Sequence, residues 1–510
     1  MKSVLSKIFS NFFILIIITA IIKLPLLFTK NIQEDSFITW RVARNLINYG
    51  VIGFNGEERI SASTTHLYVL ITAFFQLVFG EYFIVPLLVF SGILFAVGSL
   101  WLAKILFPDD ILKRGFFVVL LNMLPPALTA SALGMEYGIL FFLYNALIYF
   151  GVFKGKNWAY LILPILLLWT RIDTVIFLGV FFWADLIIKR KINALFIIGG
   201  ILGVVSVVSF NYLYFGELVN HTITAKKIAY KNLIQNDSLV HSLYQWAYYG
   251  GLIKKYSIYT FLLFIAFFGF LLYCIFRIVK ERSLLSFKTK VILIAVVSFA
   301  LLKITLFSYF KAYFDWYYWL PRVFMFVLIL YYVLQFLPVK QKILIPIAFL
   351  ATFGLYSFQF LQSYTIGYME ERQRMQIAAD IKNDKVGMNQ SILLEPAGII
   401  PFYTNLYTYD EVGLVDKRIN DEMLKDENFW WINSVNRFRP NYILTIAKKP
   451  GDSGSFYKIK PEDMVTFNQH YKLEKTYPIS KIHENAPKIL RWIYKIRPIG
   501  KDYFLYKIVK

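Results

Sequence analysis

The chain has a single cysteine, Cys274, so no disulfide can join two points of it, and that residue lies inside an apolar block. Acidic residues are few beside basic ones: 32 Asp and Glu against 54 Lys and Arg, for a formal net charge of +22. Nucleic acid is not the partner that this excess implies. Many of the cations fall in short clusters between apolar blocks, where the positive-inside rule reads them as membrane topology. The rest lie in the C-terminal part and in loops, where anionic lipid or phosphate is the expected partner. No internal repeat of the inverted kind common in transporters is evident, nor are Gly- or Pro-broken helices in matching halves. The first apolar block, 9–28, is followed by no small-residue cleavage site, so it reads as a retained helix rather than a signal peptide.

What is present is apolar surface. Hydrophobic residues make up 58% of the chain and aromatics 19%, against roughly 45–50% apolar in soluble domains. They gather into blocks near the ~20 residues that cross a hydrocarbon core as a helix. The expectation is a polytopic α-helical protein of the inner (cytoplasmic) membrane with eleven spans: 9–28, 82–107, 115–133, 137–153, 157–170, 172–188, 194–215, 257–279, 290–309, 320–338 and 342–361. The block 67–79 is too short to cross a core of roughly 30 Å comfortably and reads as a helix in the interface. Parity supports leaving it out. With Lys2 and Lys7 inside, the clusters Lys113-Arg114, Lys154 with Lys156, Lys189-Arg190-Lys191, the stretch 277–290, and Lys340 with Lys342 all become cytoplasmic.

The same parity puts 29–81, 216–256, 311–319 and everything after about residue 362 outside. The expected domains are a membrane part, 1–361, carrying external loops 29–81 and 216–256, and an extracytoplasmic α+β domain, 362–510. Within the latter, 363–383 reads as helix and 391–394 and 442–446 as short strands. Trp430 and Trp431 are more typical of a core than of a sugar platform.

Candidate chemistry sits at the external ends. Glu34-Asp35 directly follows the first span, and from residue 37 to 49 the pattern is helical. Phe37, Trp40, Ala43 and Ile47 form one stripe, Arg41, Arg44, Asn45 and Asn48 another, as in an amphipathic helix on the outer membrane surface. Asp35 is either a helix cap or one of two carboxylates placed to deprotonate a hydroxyl. Glu136, Arg171 and Asp173 occupy tight external turns. Asp315 stands among the aromatics of 313–319, which read as an interfacial belt. In the second loop, Asn220 and His221 precede Lys226 and Lys227, cations that the positive-inside rule leaves unexplained and that suit a phosphate. Lys23 and Lys303 lie within apolar blocks, near enough to external ends to snorkel.

The run Glu34-Asp35-Ser36-Phe37-Ile38-Thr39, then Arg41, Arg44-Asn45-Leu46, Gly53-Phe54-Asn55 and Glu58-Arg59-Ile60 resembles the first external loop of GT-C-fold glycosyltransferases, and especially the mycobacterial terminal arabinofuranosyltransferase family. The likeness continues at Gly134-Met135-Glu136, Arg171 with Asp173, Tyr214-Phe215-Gly216 through Asn220 to Ala225-Lys226, Glu395-Pro396-Ala397-Gly398-Ile399 and Val412-Gly413-Leu414-Val415-Asp416. The chain departs at Thr64-Thr65-His66, where that family has Thr-Asn-Pro. The resemblance implies inverting transfer from a polyprenyl-phosphate sugar to a glycan or glycolipid acceptor on the extracytoplasmic face. It implies Asp35 or Glu34 as base, and Lys226, Lys227, Arg171, Arg41 and Arg44 around the donor phosphate. Glu136, Asp173, His66, Asn220 and His221 would support the site. No cofactor is required, and a divalent metal stays open. The competing readings are a polymerase or ligase using a lipid-diphosphate oligosaccharide, and a lipid or sugar transporter.

Overall fold

In the computed structural model the chain is mostly helical, with one five-stranded sheet near its C-terminal end. The structure describes residues 2–56, 58–231, 258–280, 285–310, 314–336, 341–384, 390–448, 450 and 458–509. The second external loop beyond residue 231, the aromatic Tyr313 and the cytoplasmic Lys340 of the expected topology lie outside the described residues. Two compact units divide the chain: Met1–Leu27, Ile84–Val207 and Ile234–Phe360 form one, and Phe28–Phe83, Val208–Leu233 and Leu361–Lys510 the other.

Apolar helices dominate the first unit. Ile84–Leu106, Ala194–Phe215, Phe287–Tyr309 and Asp315–Gln335 are each long and apolar enough to cross a membrane, which makes the protein polytopic. Ile111–Met123 and Pro125–Ala132 make a fifth candidate, bent by 70° at their junction. The bend has a local cause. Pro125 removes a backbone donor and forces the preceding residue out of helical geometry, and Leu124 duly sits at φ −71°, ψ 141°. Other expected spans form shorter helices. Phe12–Leu27, Asn157–Thr170 and Val175–Lys189 have 16, 14 and 15 residues, which is about 21–24 Å of helix. Among the described residues, four helices, or five with the bent pair, are long and apolar enough to cross a membrane.

Helices in this unit approach closely where a side chain is missing. A Cβ on Gly138 would lie 2.1 Å from Ser91 Oγ and 2.7 Å from the Ser91 carbonyl. Small residues permit such contact, and dispersion between the backbones then holds the pair where lipid gives no hydrophobic drive.

In the second unit the sheet runs β2-β1-β3-β5-β4, with β1 Ser391–Leu394, β2 Tyr407–Asp410, β3 Tyr442–Thr445, β4 Tyr471–Tyr477 and β5 Tyr503–Ile508. The first three strands are parallel, and β5 pairs antiparallel with β3 and β4. Alternation along the strands builds two cores. Leu393, Ile443 and Tyr506 meet Ile419, Trp431 and Phe467 on one side. Ile392, Leu394, Leu444 and Leu505 meet Ile377, Ile381 and Ile400 on the other. Trp430 and Trp431 are buried, as core residues.

The Trp431 indole N–H donates to Glu411 Oε1 at 2.8 Å. Burial, the first cause, pushes the Glu411 carboxyl up to about 8. A raised carboxyl makes the folded state bind the extra proton. Its stabilising contribution is complete below the unfolded value of 4.5 and is lost as pH climbs through about 8. Glu411→Gln keeps the acceptor for Trp431 and mimics the protonated acid. Its thermal midpoint relative to the parent protein is expected to rise between about pH 5 and pH 8 and then level. A difference independent of pH would show that Glu411 does not titrate there.

Candidate functional site

The helix Glu34–Tyr49 opens with Gln33 as its N-cap residue, so Glu34 and Asp35 both fall in the first turn. Asp35 is therefore not the cap. In the first turn a carboxylate still complements the helix dipole. Glu34 has a specific task. Its Oε1 accepts from the backbone N–H of Gly398 and Ile399, at 3.0 and 2.9 Å, and its Oε2 accepts from Arg374 Nη1 at 2.9 Å. Gly398 is required at this contact, because a Cβ there would stand 2.3 Å from the Glu34 carbonyl oxygen and 2.7 Å from its carboxyl carbon.

Arg374 links the rest of the cluster. It lies 3.2 Å from Glu370 Oε1, and its Nη2 donates to Tyr503 OH at 3.1 Å. Burial raises the Glu370 carboxyl, with the Glu34 charge adding and Arg374 opposing. Neither Arg374 nor Glu370 was legible as a site residue. Their four-residue spacing on a helix suggests only a surface pair. Glu34 lies 340 positions away, and folding alone brings it in.

Glu34 is thus engaged as a clamp between the helix start and the sheet domain. Asp35 is half-buried on the same first turn.

Arg41 is 2% exposed. Its guanidinium donates to the carbonyls of Phe54, Pro401 and Leu406 at 3.0, 2.9 and 2.7 Å, and to Thr408 Oγ1 at 3.3 Å. Arg44 donates to the Phe402 carbonyl at 2.9 Å and stacks on that ring. Asn45 caps the carbonyls of Gly53 and Phe54. The expected polar stripe is therefore no solvated face on a membrane. Irregular loops leave carbonyls unpaired, and this stripe satisfies them. Arg41 and Arg44, expected at a donor phosphate, tie the helix to residues 54, 401, 402 and 406.

His66, Asn220 and His221 are also built into the scaffold. His66 Nε2 donates to Asn211 Oδ1 at 2.8 Å, and Asn211 Nδ2 donates to Asn220 Oδ1 at 3.2 Å. Asn220 in turn donates to Ser61 Oγ at 2.9 Å. Burial pushes His66 down to about 4, so it is neutral near pH 7. His221 Nε2 donates to the Gly413 carbonyl at 2.8 Å. Lys226 and Lys227 end the short helix His221–Ala229. Lys227 and Lys231 line a pocket of about 500 Å³ with Glu395, Glu411, Glu427 and Trp430.

In the first unit, Arg171 joins two acids. Its Nη1 meets Glu136 Oε1 at 2.7 Å and its Nε meets Asp173 Oδ1 at 2.9 Å. Lys303 Nζ reaches Asp173 Oδ2 at 2.9 Å and is 1% exposed, so it pairs inward rather than snorkelling. Lys23 likewise turns inward, donating to the Gly92 carbonyl at 3.2 Å beneath the Phe95 ring. Tyr317 and Tyr137 stand beside the Arg171 guanidinium, 5.2 and 5.7 Å from ring centre to carbon. Two cations and two carboxylates make the network neutral, which is what allows it to be buried. Among the described residues no group of three or more His, Cys, Asp or Glu is placed to hold a metal ion.

Residues 363–506 match a family described as a domain of unknown function, DUF8728. No curated protein matches by sequence. Among solved structures, the crystal structure of ArnT from Cupriavidus metallidurans in the apo state is similar, with a TM-score of 0.56 and 11% identity. That likeness covers 96% of this chain and 97% of that one. At such identity the likeness speaks for the fold alone: this chain and that one share an overall fold along nearly their whole lengths.

Proposed function

We propose that this chain is an inverting glycosyltransferase that moves a sugar from a polyprenyl-phosphate donor to a glycan or glycolipid acceptor on the extracytoplasmic face. The observation that carries the reading is the placement of the acidic pair: both carboxylates stand on the first turn of one helix, whose start is fixed through Glu34 by two backbone N–H groups and Arg374. Asp35 takes the proton of an acceptor hydroxyl as that oxygen attacks the anomeric carbon. The bond from that carbon to the phosphate oxygen breaks, and the phosphate leaves with the electron pair. Inversion results from attack opposite the leaving group. Lys226 stabilises the charge that develops on the phosphate. The likeness to ArnT and the motifs of the first loop support the same reaction class.

The test is donor choice. Purified protein is expected to consume a polyprenyl-monophosphate sugar and release polyprenyl phosphate, with the sugar moved to an acceptor lipid. Turnover only with a diphosphate-linked oligosaccharide would assign it instead to the polymerases and ligases. Uptake without any bond cleavage would make it a transporter.

The basic clusters further support eleven spans with the amino terminus cytoplasmic and the tail outside. A reporter active only in the cytoplasm, fused after Lys510, is expected to be silent; an active fusion would reverse the orientation.

A further inference from the structure

The helix Lys488–Ile496 has three faces where a surface helix ordinarily has two. At 3.6 residues per turn, Leu490 and Tyr494 share one face and are buried. Ile489, Trp492 and Ile496 share the next and are 52%, 64% and 66% exposed. Lys488, Arg491 and Lys495 form the third, and all are exposed. An exposed apolar stripe beside a basic stripe is the pattern of a helix that lies in a lipid interface.

The buried face fixes the helix firmly. Leu490 and Tyr494 cluster with Ala486 against Tyr364 and Tyr368. Tyr494 OH donates to the Thr365 carbonyl at 2.8 Å, and Tyr368 OH donates to the Asn485 carbonyl at 3.2 Å. These anchors lie just beyond the last apolar run of the sequence, which ends at Leu361. Four residues of helix are about 6 Å, so the chain itself keeps this helix near the level at which that run meets water.

Charge selects the occupant. Between residues 481 and 501 the cations are Lys481, Lys488, Arg491, Lys495, Arg497 and Lys501, and the only acid is Glu484. We propose that Lys488–Ile496 is an interfacial anchor: Ile489, Trp492 and Ile496 enter the boundary between headgroups and acyl chains of an anionic leaflet, and the basic stripe holds its phosphates. The inference needs the membrane architecture but not the proposed reaction, so either can fail without the other.

The test uses the full-length protein in nanodiscs containing phosphatidylglycerol. In a Cys274→Ala background, Trp492→Cys, Ile496→Cys and Lys495→Cys each carry a nitroxide. All three positions are exposed and leave the Leu490 and Tyr494 anchors intact, and wild-type turnover or thermal midpoint confirms folding. Labels at 492 and 496 are expected to be reached by oxygen, at a depth of about 5–10 Å, and the label at 495 by a water-soluble nickel chelate. Chelate access at 492 and 496 would mean the stripe faces water. Shielding from both reagents would mean that a protein covers it. Either result overturns the proposal. In nanodiscs of phosphatidylcholine alone the depth is expected to fall, and an unchanged depth would remove the role assigned to the basic stripe.

Discussion

Asp35→Asn is expected to lower turnover about 10²–10⁴-fold, the usual worth of a general base, with little change in donor binding or folding. Asp35 is in the first turn after the Gln33 cap, so the amide removes a carboxylate from the positive end of the helix. That costs only about 0.3–1 kcal/mol. A large loss of rate with a small loss of stability therefore separates a base from a helix-dipole partner. Glu34→Gln is the comparison. Glu34 binds two backbone N–H groups and Arg374, and hydrogen bonds to a charged group are worth about 1.5–3 kcal/mol. Its loss should appear first in the thermal midpoint, with activity falling because the helix start is no longer held. A positioning role predicts partial recovery at lower temperature. Asp35→Asn should show none. A fully active Asp35→Asn variant would falsify the mechanism.

The second large effect concerns the buried ions of the membrane unit. Arg171→Met should cost about 3–5 kcal/mol of stability, because removing one partner leaves an uncompensated buried charge. Glu136 has its contact at 2.7 Å with Arg171, whereas Asp173 keeps Lys303 at 2.9 Å. The carboxylate left exposed to a low dielectric is therefore that of Glu136. Adding Glu136→Gln restores charge balance, with Lys303 and Asp173 still paired, and should recover most of the lost thermal midpoint. If Arg171 served only a donor phosphate, Arg171→Met would raise KM and leave the midpoint unchanged, and the second substitution would rescue nothing. Both readouts come from one detergent-solubilised preparation, so stability and donor affinity are compared under the same conditions.

By itself the sequence determined the features that arise when one local rule is repeated along the chain. Block length and apolar content marked a polytopic helical membrane protein, because a span needs about 20 apolar residues whatever its neighbours are. Local pattern also placed helix after residue 363 and strands at 391–394 and 442–446, since propensity and alternation act over a few residues. Span boundaries did not follow from block length alone: Pro125 bends one apolar block by 70°, and three others form helices of 14 to 16 residues.

Tertiary structure alone decided which partners Arg41, Glu34 and Lys303 meet. Arg41 has the same sequence signature whether it faces a phosphate or three carbonyl oxygens, and the carbonyls come from residues 54, 401 and 406. The task of Glu34 was not legible in the sequence either, because Gly398, Ile399 and Arg374, which engage it, come from the C-terminal part of the chain. Lys303 reads as a snorkelling lysine until Asp173 is found beside it. The physical reason is common to all three. A charge in a low dielectric is governed by its nearest partner, and here the partners of Arg41, Glu34 and Lys303 lie far away along the chain.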